Sequence, residues 1–136
     1  MPVNSIQAYF EKARRIIAEC GLISSHSLLL EERSYRLGYI RGEIKLIDDS
    51  VLFFREFIDL SKERFKDDYS YQYQIENGSL VFRYDNASHH PKIKSFPHHK
   101  HHRSEENIIE CPEPDLESVL LEIEIIIGHG GERTES

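Results

Sequence analysis

The chain has 136 residues, 39% of them hydrophobic, which is enough for one domain with its own core and too few for two ordinary ones. Its longest apolar runs, residues 28–30 and 123–127, fall far short of the roughly 18 residues a membrane span needs, so a soluble protein is expected. A net charge of -7 with neutral histidines excludes broad, non-specific attraction to nucleic acid, which requires many cations facing phosphates.

The N-terminus, Met1-Pro2-Val3-Asn4, has no basic stretch followed by an apolar one, so nothing suggests export and a cytoplasmic protein is expected. In that setting Cys20 and Cys111, far apart and outside any CxxC pattern, read as free thiols. Asn77-Gly78-Ser79 and Asn86-Ala87-Ser88 read as turn chemistry, not glycosylation sites.

Along the chain, Asn4 and Gln7 suggest a capping box, after which Ile6, Tyr9, Phe10, Ala13, Ile16, Ile17 and Cys20 recur at helical spacing up to Gly21. The spacing predicts an amphipathic helix over 5–20. Residues 26–60 then switch to shorter runs of Leu, Ile, Phe and Tyr, with Asp48-Asp49-Ser50 as a turn, and read as three antiparallel strands. Beyond a charged connector, Tyr69, Tyr71, Tyr73 and Ile75 alternate with polar residues, and Asn77-Gly78 signals a two-residue type I′ hairpin. That register sets Leu80, Phe82 and Tyr84 opposite Ile75, Tyr73 and Tyr71 on an aromatic face. The other face then carries Gln72 opposite Arg83 and Ser70 opposite Asp85.

Residues 86–113 contain three prolines and no clear period, and are expected to form a long irregular loop. Asp115 can cap a helix over 115–127 with Leu116, Val119, Leu120, Ile123 and Ile127 as its apolar stripe, and residues 129–136 should fray. The fold expected is a single α+β domain over 1–136. An antiparallel sheet of about five strands, all within 26–85, lies between an N-terminal and a C-terminal helix.

Six of the eight histidines, His89, His90, His98, His99, His101 and His102, fall between Arg83 and Arg103 together with Lys92, Lys94 and Lys100, against one acid, Asp85. This segment supports three readings. In the first, histidines transfer protons during metal-free cleavage of an RNA phosphodiester, Lys100 or Arg83 stabilises the phosphorane, and Tyr84 or Phe96 stacks a base. In the second, His99 with His101, or His98 with His102, binds a metal beside Asp85, although no spacing matches an established zinc motif. In the third, the segment is a solvated polar loop. Arg83 and Asp85 also fit an ordinary exposed cross-strand pair, the three tyrosines fit sheet packing, and Glu117, Glu122 and Glu124 fit a solvated helix face.

Two stretches carry a family resemblance: Leu80-Val81-Phe82-Arg83-Tyr84-Asp85-Asn86-Ala87-Ser88-His89-His90-Pro91 and Phe96-Pro97-His98-His99-Lys100-His101. With the alternating Tyr69-to-Gln74 strand before them, they resemble the TumE family of toxin–antitoxin toxins. Ser88 stands where that family more often has proline, and His102 extends the second histidine run. The resemblance implies an intracellular toxin neutralised by an antitoxin, often one with a helix-turn-helix DNA-binding domain, and an RNA target. Carried onto this chain, it implies a catalytic set of Asp85, His89, His90, His98, His99, Lys100 and His101, with His90 and His99 in proton transfer, Lys100 against charge and Asp85 orienting a histidine. Arg83, Tyr84, Asn86 and Phe96 would contact substrate, and no cofactor or metal is expected. A metal-dependent hydrolase, a metal-binding module and a toxin that blocks its target without catalysis remain the alternatives.

Overall fold

A computed structural model describes residues 3–87 and 95–129. In chain order it contains α1 (Ile6–Glu19), β1 (Ile23–Ser34), β2 (Leu37–Leu46), β3 (Val51–Asp59), β4 (Lys66–Gln74), β5 (Leu80–Asp85), β6 (His99–His102), β7 (Ile108–Glu110) and α2 (Leu116–Gly128). All seven strands form one sheet in sequential order, and each pair is antiparallel. The α+β layout with two flanking helices is as expected, but the sheet has seven strands and not about five. Both additional strands come from the segment expected to be irregular. β6 is His-Lys-His-His, which has no apolar alternation to reveal a strand, yet its side chains alternate between buried and half-buried positions. No helix among the described residues is long and apolar enough to cross a membrane.

Both helices pack on one face of this sheet. Ile6, Phe10, Ala13 and Ile17 of α1 and Leu116, Val119, Leu120 and Ile123 of α2 share a core with Ile40, Ile44, Leu52, Phe54, Ile58, Tyr69, Tyr71, Tyr73 and Phe82. Because strand side chains alternate, the intervening residues, such as Arg41, Phe53, Arg55, Gln72 and Arg83, lie on the face opposite the helices. Ser5, not Asn4, caps α1 by accepting from the Ala8 amide at 3.1 Å, whereas Asp115 caps α2 as expected and forms a capping box with Ser118.

The expected pairing of β4 with β5 holds where it matters: Tyr73 faces Phe82, Gln72 faces Arg83, Tyr71 faces Tyr84 and Ser70 faces Asp85. The turn itself differs. Within the turn only Gly78 has positive φ (92°), the Gly78 amide donates to the Ile75 carbonyl at 2.9 Å, and the Ile75 amide donates to the Ser79 carbonyl at 3.0 Å. A bulge then shifts Leu80 opposite Gln74, where a two-residue turn would have set it opposite Ile75. This is the pairing of a three-residue loop, an ordinary turn followed by a glycine bulge, which needs one left-handed residue where type I′ needs two.

A charged network lies inside the core, although the sequence shows only scattered acids and lysines there. Glu56 is 2% exposed and Lys66 3% exposed, so neither charge is solvated directly. Tyr9 and Tyr71 each donate a hydroxyl bond to Glu56, and Lys66 donates to the Tyr71 hydroxyl at 2.9 Å and to the Pro114 carbonyl. Burial pulls the Lys66 ammonium below its ordinary pKa, opposed by Glu56, Glu113 and Asp115. The network therefore ties α1, β3, β4 and the entry to α2 together.

Removing one member of a buried charge network costs far more than the network adds, because its partners stay buried. Glu56→Leu is expected to destabilise the fold by about 3–5 kcal/mol, read as a lower urea midpoint at unchanged slope; a midpoint equal to the native one would show that the network contributes nothing. A second prediction concerns helix docking. A Cβ on Gly38 would lie 2.9 Å from the Glu31 carbonyl oxygen and run into the Ile6 side chain. Gly38→Ala should accordingly cost about 1–3 kcal/mol through overpacking, whereas Gly21→Ala, which meets nothing within 4 Å, should not.

Candidate functional site

β6 returns alongside β5 in a register that sets His99 opposite Asp85 and His101 opposite Arg83. All four side chains therefore project from the sheet face opposite the helices. His99 Nε2 lies 2.8 Å from Asp85 Oδ1, and His101 Nε2 lies 3.6 Å from Asp85 Oδ2. Arg83 Nε donates to Asp85 Oδ2 at 3.1 Å, and the Ala87 amide donates to Oδ1 at 3.0 Å. Asp85 thus gathers two imidazoles, a guanidinium and a backbone amide around one carboxylate. The three groups are enclosed: His99 is 1%, His101 4% and Asp85 7% exposed.

The tautomers follow from the remaining contacts. His99 Nδ1 meets the Pro97 carbonyl at 3.1 Å, and His101 Nδ1 meets the Glu105 carbonyl at 2.9 Å. A carbonyl oxygen only accepts, so Nδ1 carries the hydrogen in both rings, and both Nε2 atoms face Asp85. A lone pair on Nε2 would repel a carboxylate, so the 2.8 Å contact is attractive only when a positive centre stands between the two atoms. Asp85, His99 and His101 offer ligand atoms that all lie within 4.8 Å of one another. Their chemistry, two imidazoles and a carboxylate, suits either proton transfer or a first-row transition metal.

Glu105, in the turn between β6 and β7, was not singled out in the sequence. Besides receiving the His101 bond at its carbonyl, its carboxylate grips Arg83 with both oxygens, Oε2 at 2.6 Å from Nη2. This grip raises the Arg83 pKa and lowers that of Glu105. The clue was its placement twenty-two residues from Arg83, which becomes informative only once β6 is known to be a strand.

The other expected site residues go elsewhere. Lys100 sits between His99 and His101 and so points to the helix face, where it bonds Glu122 of α2 at 2.7 Å. Tyr84 lies on that same face, also bonded to Glu122 at 2.6 Å, and burial followed by the Glu122 contact raises its pKa. Glu122 is therefore an anchor beneath the sheet and not part of a solvated face. His102 neighbours Lys100 on that side, and burial lowers its pKa. His98 Nδ1 is paired with the Tyr69 hydroxyl at 2.7 Å, Nε2 lies 3.7 Å from Glu113, and burial again lowers its pKa. Asn86 is occupied with backbone, accepting from the Tyr69 amide and donating to the Asp67 carbonyl, each at 3.1 Å. Phe96 is 41% exposed. His89 and His90 lie outside the described residues.

Asp85, His101 and Arg83 open onto a groove of about 630 Å³, whose floor includes Arg55, Ser70 and Gln72. It adjoins a second depression of about 850 Å³ that shares Arg55, Ser70 and Gln72 and adds Tyr39, Arg41 and Phe53. Both volumes fall in the range of ligand sites, roughly 300–1,000 Å³. Arg55 is held by Asp68 at 3.2 Å, an exposed pair that water screens readily.

Among known proteins, the chain matches the family described as Toxin TumE over residues 12–127. No curated protein and no solved structure matches it. The matched span runs from within α1 to the last turn of α2 and so takes in every strand and the whole Asp85 cluster. A toxin family implies an antitoxin partner in general. With most of its length matched, this chain belongs to the TumE toxin family.

Proposed function

We propose that this toxin is a metal-independent endoribonuclease whose proton-transfer residue is His101, with Asp85 and His99 positioning it and Arg83 stabilising charge. The observation that carries the reading is that His101, Asp85 and Arg83 line one groove on the sheet face opposite the helices. An RNA strand crossing that face would meet Arg55 and Arg41 along its phosphates, with Phe53 and Tyr39 available for stacking. His101 Nε2 takes the proton of a 2′-hydroxyl, whose oxygen attacks the adjacent phosphorus. The bond to the 5′-oxygen breaks and that oxygen receives the proton back. The products are a 2′,3′-cyclic phosphate and a 5′-hydroxyl. Arg83, two residues from Asp85 on the same face, takes over the charge-stabilising role that the sequence suggested for Lys100.

The net charge of -7 limits general nucleic-acid affinity, so the attraction is local to these arginines. The partner antitoxin, in this reading a protein with a helix-turn-helix DNA-binding domain, neutralises the toxin by covering the same groove.

The test is cleavage of a labelled mixed-sequence RNA in excess EDTA. His101→Ala is expected to lose on the order of 10²–10⁴-fold in rate, the usual worth of a positioned proton-transfer group. Asp85→Asn should lose comparably. Lys100→Met, which faces the helices, should act through stability alone, lowering the urea midpoint while the folded protein keeps cutting. Cleavage that persists in His101→Ala would sink the assignment. A separate check uses the same RNA with a single 2′-deoxy nucleotide: cutting 3′ to that position should vanish, and survival of the cut would remove the 2′-hydroxyl as nucleophile.

A further inference from the structure

The geometry points to a site for one divalent transition-metal ion of borderline softness, such as Zn²⁺, held by Asp85, His99 and His101. The donor set is the first argument. Two imidazoles and one carboxylate suit zinc, cobalt or nickel and are poorly matched to magnesium or calcium, which favour oxygen alone.

Spacing is the second. Ligand bonds of about 2.0–2.1 Å in a tetrahedron separate neighbouring donors by about 3.3 Å. The imidazole-to-carboxylate distances, 2.8 Å to Oδ1 and 3.6 Å to Oδ2, lie on either side of that value, and the three ligand atoms all fall within 4.8 Å of one another.

Orientation is the third argument. Histidines that hold metals characteristically donate their other ring hydrogen to a carbonyl or carboxylate, which aims the ligating nitrogen. Both rings do so here, to Pro97 and Glu105, and those bonds direct both Nε2 atoms at the Asp85 carboxylate. The ligands also stand on paired strands, with Asp85 directly opposite His99, so the site is organised before any ion arrives. Arg83 remains bonded to Glu105 and can release Asp85 to the metal.

The effect on activity rests on the ribonuclease reading of this centre. His101 Nε2 cannot bind an ion and take a substrate proton at the same time, so the metal-loaded toxin is silent and removal of the ion restores cleavage.

The experiment uses the full chain without a tag, stripped with chelator, and titrated with Co²⁺ as a visible-absorbing stand-in for Zn²⁺. One equivalent is expected to give an intense low-coordinate band that Zn²⁺ displaces and Mg²⁺ does not. His101→Gln and Asp85→Asn should abolish the band, with urea midpoints confirming that both variants fold. His98→Ala and His102→Ala, on the opposite side of the strand, should keep it. No band, or a band unchanged in His101→Gln and Asp85→Asn, would overturn the site. Cleavage assays on the same samples separate the two readings. A one-equivalent band with RNA intact under every condition would overturn the ribonuclease and support the metal site; cleavage in EDTA without any band would do the reverse. Cleavage that rises with Zn²⁺ would overturn the silencing.

Discussion

A sheet covered by helices on one side only gives each strand two unequal faces, and this asymmetry governs everything else in the molecule. Along β4 the tyrosines fall on the covered side, where Tyr69, Tyr71 and Tyr73 are fully buried, and Gln72 falls on the other. Along β6 the same alternation divides a run of four polar residues into two unrelated jobs. His99 and His101 meet Asp85, while Lys100 and His102 face the helices. A shift of one residue in the β5–β6 register would exchange these faces and bury the wrong set. The site therefore depends on register before it depends on any individual contact.

What holds register is distributed between polar ties under the sheet. Lys100 and Tyr84 both end on Glu122, so α2 clamps β5 and β6 from below. Farther along, Glu56 and Lys66 bind α1, β3 and β4 through tyrosine hydroxyls and the start of α2 through the Pro114 carbonyl. Each of these charges is stranded without the others, and that penalty discriminates against neighbouring registers. The apolar core supplies the bulk of the driving force without such selectivity. Phe54 and Tyr71 stack with ring centres 6.1 Å apart, but packing of this kind tolerates modest sliding where a paired charge does not.

Much of this was legible in the sequence where hydrophobic periodicity spoke clearly. The two helices, the first three strands and the β4–β5 pairing follow from apolar spacing, and the pairing of Ser70 with Asp85 emerges from the hairpin alone. The turn misled because Asn-Gly serves both a two-residue turn and a turn with a glycine bulge, and the sequence does not choose between them. β7, Ile-Ile-Glu, is too short to show a period, and β6 was invisible for a different reason. His-Lys-His-His has no apolar member, so the alternation that divides its side chains between the two faces leaves no hydrophobic trace. Composition located the cluster, and the family motif marked Asp85, His99 and His101. Neither revealed that Lys100 would turn its back on them, nor that Glu105 and Glu122 would hold the two sides.

The sequential order of the strands also shapes how the molecule comes into being. Each strand pairs with the one just made, so the sheet can zip from β1 onward during synthesis with little chain left waiting. The last step is different. α2 must return to α1, where Cys20 meets Glu124 across 104 residues, and only then are Tyr84 and Lys100 clamped. A nascent chain lacking its final segment would have most of a sheet and an unfinished centre, with aromatic surface open to chaperones and proteases. The Asp85 centre is thus braced from below only once the last helix has docked, so a chain ending before α2 would keep its strands but lose the Glu122 clamp on Tyr84 and Lys100.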